Sequence, residues 1–253
     1  MKKKLAKILI DNKICSRRSV KSFLRNNKIL INNKRTQNEN ELVDIQTNAD
    51  SSNFKHCKIF INNSAFFPKS YTYILMNKPS GVVCKTVSDK NKTVYSLFDS
   101  KSLYFNPLNL HTVGRLDLDT EGLLILTDDG DFSHKLTSPE SKCPKTYFVE
   151  LKKTCNKNEQ ERIKNVFSAP FALPAEKKSQ ASVCNGGQIS WISEKNCMVT
   201  ISEGQFHQIK RMFLAVKNEV SFLKRTKIGR LELPKDLQSG SWRFLTKEEL
   251  ELF

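Results

Sequence analysis

Between two glycines the chain reads Gly114-Arg115-Leu116-Asp117-Leu118-Asp119-Thr120-Glu121-Gly122-Leu123-Leu124-Ile125-Leu126-Thr127-Asp128-Asp129-Gly130. Three acidic side chains precede a four-residue apolar run, in a protein whose formal net charge is +16. The run 123–126 has the length and composition of a buried strand, and Thr127-Asp128-Asp129-Gly130 reads as the turn that ends it. Asp117 therefore stands on a glycine-flanked loop that enters the core. A carboxylate in that position is either a turn cap bonded to its own backbone or a catalytic group offered to a pocket.

Three further segments carry comparable chemistry. Tyr73-Ile74-Leu75-Met76-Asn77-Lys78-Pro79-Ser80-Gly81 reads as a strand closed by a Lys-Pro-x-Gly turn. Lys145-Thr146-Tyr147 places an aromatic hydroxyl at a strand start. Glu203-Gly204-Gln205-Phe206-His207-Gln208-Ile209-Lys210-Arg211-Met212-Phe213 brings a histidine and two cations onto one predicted helix. In this order, from about residue 71 to the C-terminus, the four segments resemble the RsuA family of bacterial RNA pseudouridine synthases.

The resemblance implies roles residue by residue. Asp117 corresponds to the family's essential catalytic carboxylate, Tyr147 to its active-site tyrosine, and Lys210 to the basic partner of the carboxylate. Many related enzymes carry Arg there, whereas Lys supplies a point charge without the guanidinium fork. Arg211, about 100° further round the predicted helix, is expected to bind RNA instead. Arg115 is placed to fill the gap left by a flipped base or to grip phosphates, unless it pairs with Asp119 or Glu121. His207 is expected to make a structural hydrogen bond at the helix start rather than to act in acid–base chemistry. His111 and His134 carry no assignment, and the 16 phenylalanines are read mostly as core rather than as a stacking platform.

The implied reaction breaks the C1′–N1 bond of a uridine, rotates the uracil and joins C1′ to C5. It calls for no redox cofactor, metal or ATP. It needs an ionised carboxylate, a pocket for the detached base, and extrusion of the nucleotide from its stack. The segments Asp128-Asp129-Gly130-Asp131-Phe132-Ser133-His134, Thr137-Ser138-Pro139 and Ile201-Ser202-Glu203-Gly204-Gln205-Phe206-His207-Gln208 resemble the small-subunit branch. The implied substrate is then 16S ribosomal RNA, of the type modified at uridine 516. The alternatives are a sister enzyme acting on 23S ribosomal RNA and a non-catalytic ribosome-assembly protein. The latter has no need of an acid in a basic groove.

Composition agrees with a polyanionic partner, since 42 Lys and Arg stand against 26 Asp and Glu. No apolar run approaches the roughly 20 residues of a membrane span. The three lysines after Met1 are followed by no signal-like apolar segment, so a cytoplasmic protein is expected. It is expected to be a monomer. Seven widely spaced cysteines form no Cys-x-x-Cys pair, which argues against zinc and for free thiols.

The elements that must position these residues divide into two domains, expected at 1–66 and 67–253. A helix is predicted over 5–10 and a second from an N-cap at Ser16 to about Asn27. On the second, Val20, Phe23 and Leu24 share one arc, and Arg17, Lys21, Arg25 and Lys28, with Arg18 at the edge, form a basic arc fit for phosphates. A strand Ile29-Leu30-Ile31 then reaches an Asn32-Asn33 turn. This arrangement resembles the S4-type RNA-binding module, with Asn33 where that module often has Gly; Asn tolerates the left-handed conformation. Residues 48–53 read as a loop, and a linker is expected within 63–70.

Beyond the linker, strands are predicted at 73–76, 123–126, 147–151, 189–192 and 198–201, and helices at 158–166, 205–216 and 246–252. Strands that do not alternate regularly with helices predict an α+β fold with a mostly antiparallel mixed sheet, flanked by helices and loops. No internal repeat is visible.

Overall fold

A computed structural model of the chain describes residues 2–12, 14–44, 59–66, 71–98, 107–176 and 179–253. The loop expected at 48–53 lies outside the described residues. Two units are present, Met1–Thr72 and Tyr73–Phe253.

The first unit runs β1 (Lys2–Lys4), α1 (Leu5–Asp11), α2 (Val20–Asn26), β2 (Ile29–Ile31), β3 (Lys34–Thr36), β4 (Leu42–Asp44), β5 (Ile59–Ile61) and β6 (Ser64–Phe66). Leu5, Ile8 and Leu9 of α1 and Val20 and Leu24 of α2 are buried with Ile29 and Ile59. Helix α2 starts three residues later than a cap at Ser16 would give. The Ser16 and Ser19 hydroxyls bond each other at 2.8 Å and each accepts from the other's backbone N–H, so 16–19 closes on itself as a turn. Arg17 and Arg18 lie on that turn, and they are exposed together with Lys21, Arg25 and Lys28. The basic arc is not isolated from acids, since the fold brings Glu39 to 3.6 Å from Lys21.

Strands β2 and β3 are joined by Asn32-Asn33, with φ of 49° and 68°. The same turn recurs at Asn62-Asn63, φ 48° and 68°, between β5 and β6, and the four strands pair in the order β3-β2-β5-β6. Residues 63–66, expected in a linker, therefore belong to a hairpin; 67–70 lie outside the described residues.

The second unit contains β7 (Tyr73–Lys78), β8 (Val82–Val83), β9 (Lys92–Thr93), β10 (His111–Thr112), β11 (Glu121–Thr127), α3 (Gly130–Thr137), β12 (Lys145–Leu151), α4 (Lys157–Phe167), β13 (Phe171–Leu173), β14 (Ser182–Cys184), β15 (Gln188–Trp191), β16 (Asn196–Ile201), α5 (Gln208–Ala215), β17 (Val220–Ile228), β18 (Leu231–Glu232), β19 (Trp242–Phe244) and α6 (Lys247–Leu250). Its main sheet has the order β15-β16-β12-β17-β11-β7-β19, with β10 on β11 and β18 on β17. Within that sheet only β11 and β17 pair in parallel among the described residues. The fold is thus α+β on a mostly antiparallel mixed sheet.

The apolar run of β11 is fully buried, at about 1.5–3 kcal/mol per aliphatic side chain. One core cluster joins Val149, Val199, Ile163, Phe167, Met212 and Phe213; another joins Ile74, Met76, Leu116, Leu124 and Leu126. Tyr147 packs against both. Several elements have no counterpart in the sequence reading, β17 and α3 among them. Strand β17 mixes Lys224, Arg225 and Lys227 with apolar residues yet lies between β12 and β11. Helix α3 begins where a turn alone is expected, because the Asp129 carboxylate caps it by accepting from the backbone N–H groups of Asp131 and Phe132.

Candidate active site

The loop 113–120 is held on both sides. The Val113 N–H donates to Ile125 O at 2.8 Å, and Leu116 is buried beside β11. Lys78, at the end of β7, is 0% exposed, and its ammonium donates to the carbonyls of Pro79 (2.9 Å), Leu118 (3.3 Å) and Thr120 (2.8 Å). Burial pushes this ammonium below the ordinary lysine range, partly opposed by Cys84, Asp119 and Asp117. The Gly81 N–H also donates to Leu118 O. The Lys-Pro-x-Gly segment thus clamps the backbone on either side of Asp119. Gly122, which follows the loop, has φ 101°, and a Cβ there would lie 2.2 Å from Arg225 O. Only glycine lets β17 approach so closely.

Asp117 projects into a pocket lined by Arg115, Tyr147, Gly204, Gln205 and His207, with its side chain 29% exposed. Lys210 Nζ reaches it at 3.6 Å and sits nearer to Asp119, at 2.6 Å. Lys210 therefore bridges two carboxylates. Partial burial raises the Asp119 carboxyl, but the hydrogen bond and charge of Lys210 outweigh this and hold it below its ordinary value. Tyr147 enters the same pocket through a break in strand register. Thr146 faces Lys227 while Tyr147 faces Arg225, and the extra residue re-aims the ring.

His207 makes the structural hydrogen bond expected at the helix start, with Glu176 as its partner. It has φ 49° at the start of α5 and makes no capping bond with its side chain. Its Nδ1 lies 3.1 Å from both oxygens of Glu176, and its Nε2 faces Asp117 at 3.7 Å. The expected helix start at 205 is instead a braced loop. Gln208 Nε2 donates to Glu203, and Gln205 donates to Val183 O and accepts from the Ser182 hydroxyl. Phe206 on this loop is 47% exposed and stacked on His207, ring centroids 3.8 Å apart, so at least one phenylalanine is not core.

Arg211 corrects the sequence expectation. It is 1% exposed, and its guanidinium donates to the carbonyls of Leu173, Pro174, Gln180 and Phe206 and to the Ser182 hydroxyl. It is a strut that fixes the loop ahead of α5 and is not presented to RNA. Arg115 is exposed on the pocket rim, and among the described residues it forms no ion pair with Asp119 or Glu121. His111 bonds Ser133 at 2.6 Å, away from the pocket lining. Among the described residues no helix is long and apolar enough to cross a membrane.

Asp117, Tyr147 and Lys210 thus converge, with Arg115 beside them. Asp119 and Glu176 join the site without having been expected there. Asp119 stands two residues from Asp117, so its proximity is legible in the sequence. Glu176 is 31 residues from His207, and no local signal ties the two together. The arrangement presents a carboxylate, a cation and an aromatic ring to one concave space.

Residues 72–215 match the family model described as RNA pseudouridylate synthase. Ribosomal small subunit pseudouridine synthase A of Vibrio cholerae is 40% identical over 178 residues, 70% of this chain and 72% of its own length. An uncharacterized RNA pseudouridine synthase of Bacillus subtilis is 34% identical over 251 residues, 98% of this chain and 97% of its own. A crystal structure of a pseudouridylate synthase, 33% identical, superposes with a TM-score of 0.63 over 99% of both chains.

Proposed function

Because the chain belongs to the RNA pseudouridylate synthase family, we propose that it converts one uridine of 16S ribosomal RNA to pseudouridine, at the site of the uridine 516 type. The enzymatic class, an RNA pseudouridine synthase, follows from the family. The ribosomal substrate is supported by the relatives named for the small subunit. The observation that carries the reading is the pocket that gathers Asp117, Tyr147 and Arg115, with the Lys210 ammonium 3.6 Å from the Asp117 carboxylate.

In this reading the flipped uracil stacks on Tyr147, whose ring gains apolar contact while its hydroxyl stays hydrated. Asp117 acts on the ribose, either as nucleophile at C1′ or as base at a ribose proton. The N1–C1′ bond breaks, the uracil turns within the pocket, and C5 bonds to C1′. The proton on C5 is then lost and one is gained at N1, so the product is an isomer. Lys210 places its positive charge 3.6 Å from the Asp117 carboxylate. Arg115 fills the space vacated by the base. The first unit, through Arg17, Arg18, Lys21, Arg25 and Lys28, supplies phosphate contacts of the S4 kind, and the protein works as a cytoplasmic monomer.

The test is Asp117→Asn. It should abolish pseudouridine formation while RNA affinity stays within a few-fold, because an acid among phosphates does not favour binding. Chemical mapping of both 16S and 23S ribosomal RNA, from cells with and without the gene, names the substrate. Pseudouridine formed by the Asn variant at a comparable rate would remove Asp117 from catalysis. Loss of a 23S position alone would reassign the RNA.

A further inference from the structure

Arg225 is 3% exposed at the centre of β17, opposite both Gly122 and Tyr147. Its Nε donates to Leu123 O at 2.8 Å, but its Nη2 is buried with no hydrogen-bond partner. Among the described residues no carboxylate pairs with it. A guanidinium placed in the interior without a counter-charge is costly, and a pure scaffold would use an aliphatic residue on this strand.

A second cation stands close by. Burial pushes the Lys145 ammonium below its ordinary range; Cys143 opposes this, and the like charge of Arg225 adds to it. Arg225 and Lys145 line one cavity of about 330 Å³ together with Arg115, Ser138 and Tyr147. The acid in its lining, Glu203, has its carboxylate engaged by Asn185 and Gln208. The cavity shares Arg115, Tyr147, Gly204 and Gln205 with the pocket around Asp117. Two cations lining a hollow whose one acid, Glu203, is held by other donors and pairs with neither of them suit an anion with several acceptor oxygens, and the guanidinium fork matches a phosphate.

We infer that Arg225 and Lys145 form a subsite for one RNA phosphodiester adjoining the flipped uridine. The inference rests on the RNA-modifying reading given above. The subsite explains why a charged residue occupies a central strand. It also gives Tyr147 two neighbours at once, the uracil on one side and the backbone of the next nucleotide on the other.

The full chain and its Lys145→Met, Arg225→Lys and Arg225→Gln variants would be titrated with a ten-nucleotide single-stranded RNA over a salt series. For a single strand, each phosphate that the protein no longer neutralises flattens the slope of log affinity against log salt by about 0.7. Lys145→Met should show that flattening and bind about five- to tenfold more weakly, whereas Arg225→Lys, which keeps the charge and loses the fork, should keep the wild-type slope and bind a few-fold more weakly. Arg225→Gln should lose a similar increment, and replacing one phosphate of the RNA by a neutral methylphosphonate should then cost the variants nothing further. Lys145→Met sits on a half-buried position and keeps the test decisive should Arg225→Gln fail to fold. An unchanged slope and affinity in Lys145→Met would overturn the subsite. Inorganic phosphate that binds the wild type but not Lys145→Met, with RNA affinity the same in both, would overturn it in favour of a free-anion site. Binding needs no isomerisation, so wild-type protein that binds this RNA but forms no pseudouridine in ribosomal RNA would refute the catalytic reading and leave the subsite standing.

Discussion

Lys78→Met should lower stability by about 2–4 kcal/mol, because the ammonium is the shared donor to three backbone carbonyls around the Asp117 loop. Leu118 O retains the Gly81 N–H. Pro79 O and Thr120 O each lose a buried donor, at about 1–3 kcal/mol apiece. Removing a fully desolvated charge of similar volume returns part of this. For a chain of this size the melting temperature should fall by about 5–15 °C, at roughly 2–4 °C per kcal/mol. The assay is urea and thermal unfolding at neutral and at alkaline pH. Because the folded ammonium titrates below the ordinary lysine value of 10.5, the unfolded chain holds the proton more tightly between the two values. Wild-type stability therefore gains from rising pH across that window, and Lys78→Met should lack this gain. Single-turnover isomerisation should also slow, on the order of a hundredfold if Asp117 shifts by about 1 Å. Should the variant unfold within about 0.5 kcal/mol of wild type, as an ordinary surface substitution does, the clamp is not holding the loop.

Arg211→Met should cost about 3–5 kcal/mol of stability, since it strips a buried guanidinium from several carbonyl partners; a folded, fully stable variant defective only in RNA binding would reverse the structural assignment. Lys210→Met should cut the single-turnover rate at neutral pH while Lys210→Arg retains much of it. In Lys210→Met the Asp119 carboxyl should return upward from its lowered value, so the stability that wild type holds above the ordinary carboxylate range and loses on acidification through the lowered value should be missing. NMR titration of Asp119 checks the direction, and an unmoved titration would detach it from Lys210. Deleting residues 1–72 should weaken RNA binding and flatten its salt dependence without erasing residual isomerisation; an unchanged salt slope would deny the first unit its part in binding.

How much of the molecule is legible in its sequence depends on how local the signal is. The apolar run 123–126 and the two Asn-Asn turns are short-range patterns with a single structural outcome, although only the first turn reads as a hairpin from sequence. The convergence of Asp117, Tyr147 and Lys210 comes from motif order, which compresses a three-dimensional arrangement into sequence. Arg211 misleads because a cation on a helix next to another cation looks solvent-facing, and its carbonyl partners at 173, 174 and 180 are tertiary neighbours. Strand β17 hides for the same reason, since Lys224, Arg225 and Lys227 mask its β character until the partner strands are known. The pairing of His207 with Glu176 has no local trace.

The clamp on the Asp117 loop shifts the burden of adaptation to the other molecule. With Leu118 and Thr120 fastened to a buried ammonium and the loop ahead of α5 fastened to a buried guanidinium, the floor and one wall of the pocket are set before RNA arrives. The distortion must then be supplied by the nucleic acid, whose uridine has to leave its stack at a cost of a few kcal/mol that is smallest in loops and imperfect helices. The enzyme would discriminate among the many uridines of a ribosomal RNA partly by their ease of unstacking. A position that becomes rigid as the ribosomal particle matures would pass out of reach, so modification would mark an interval in assembly rather than a sequence alone.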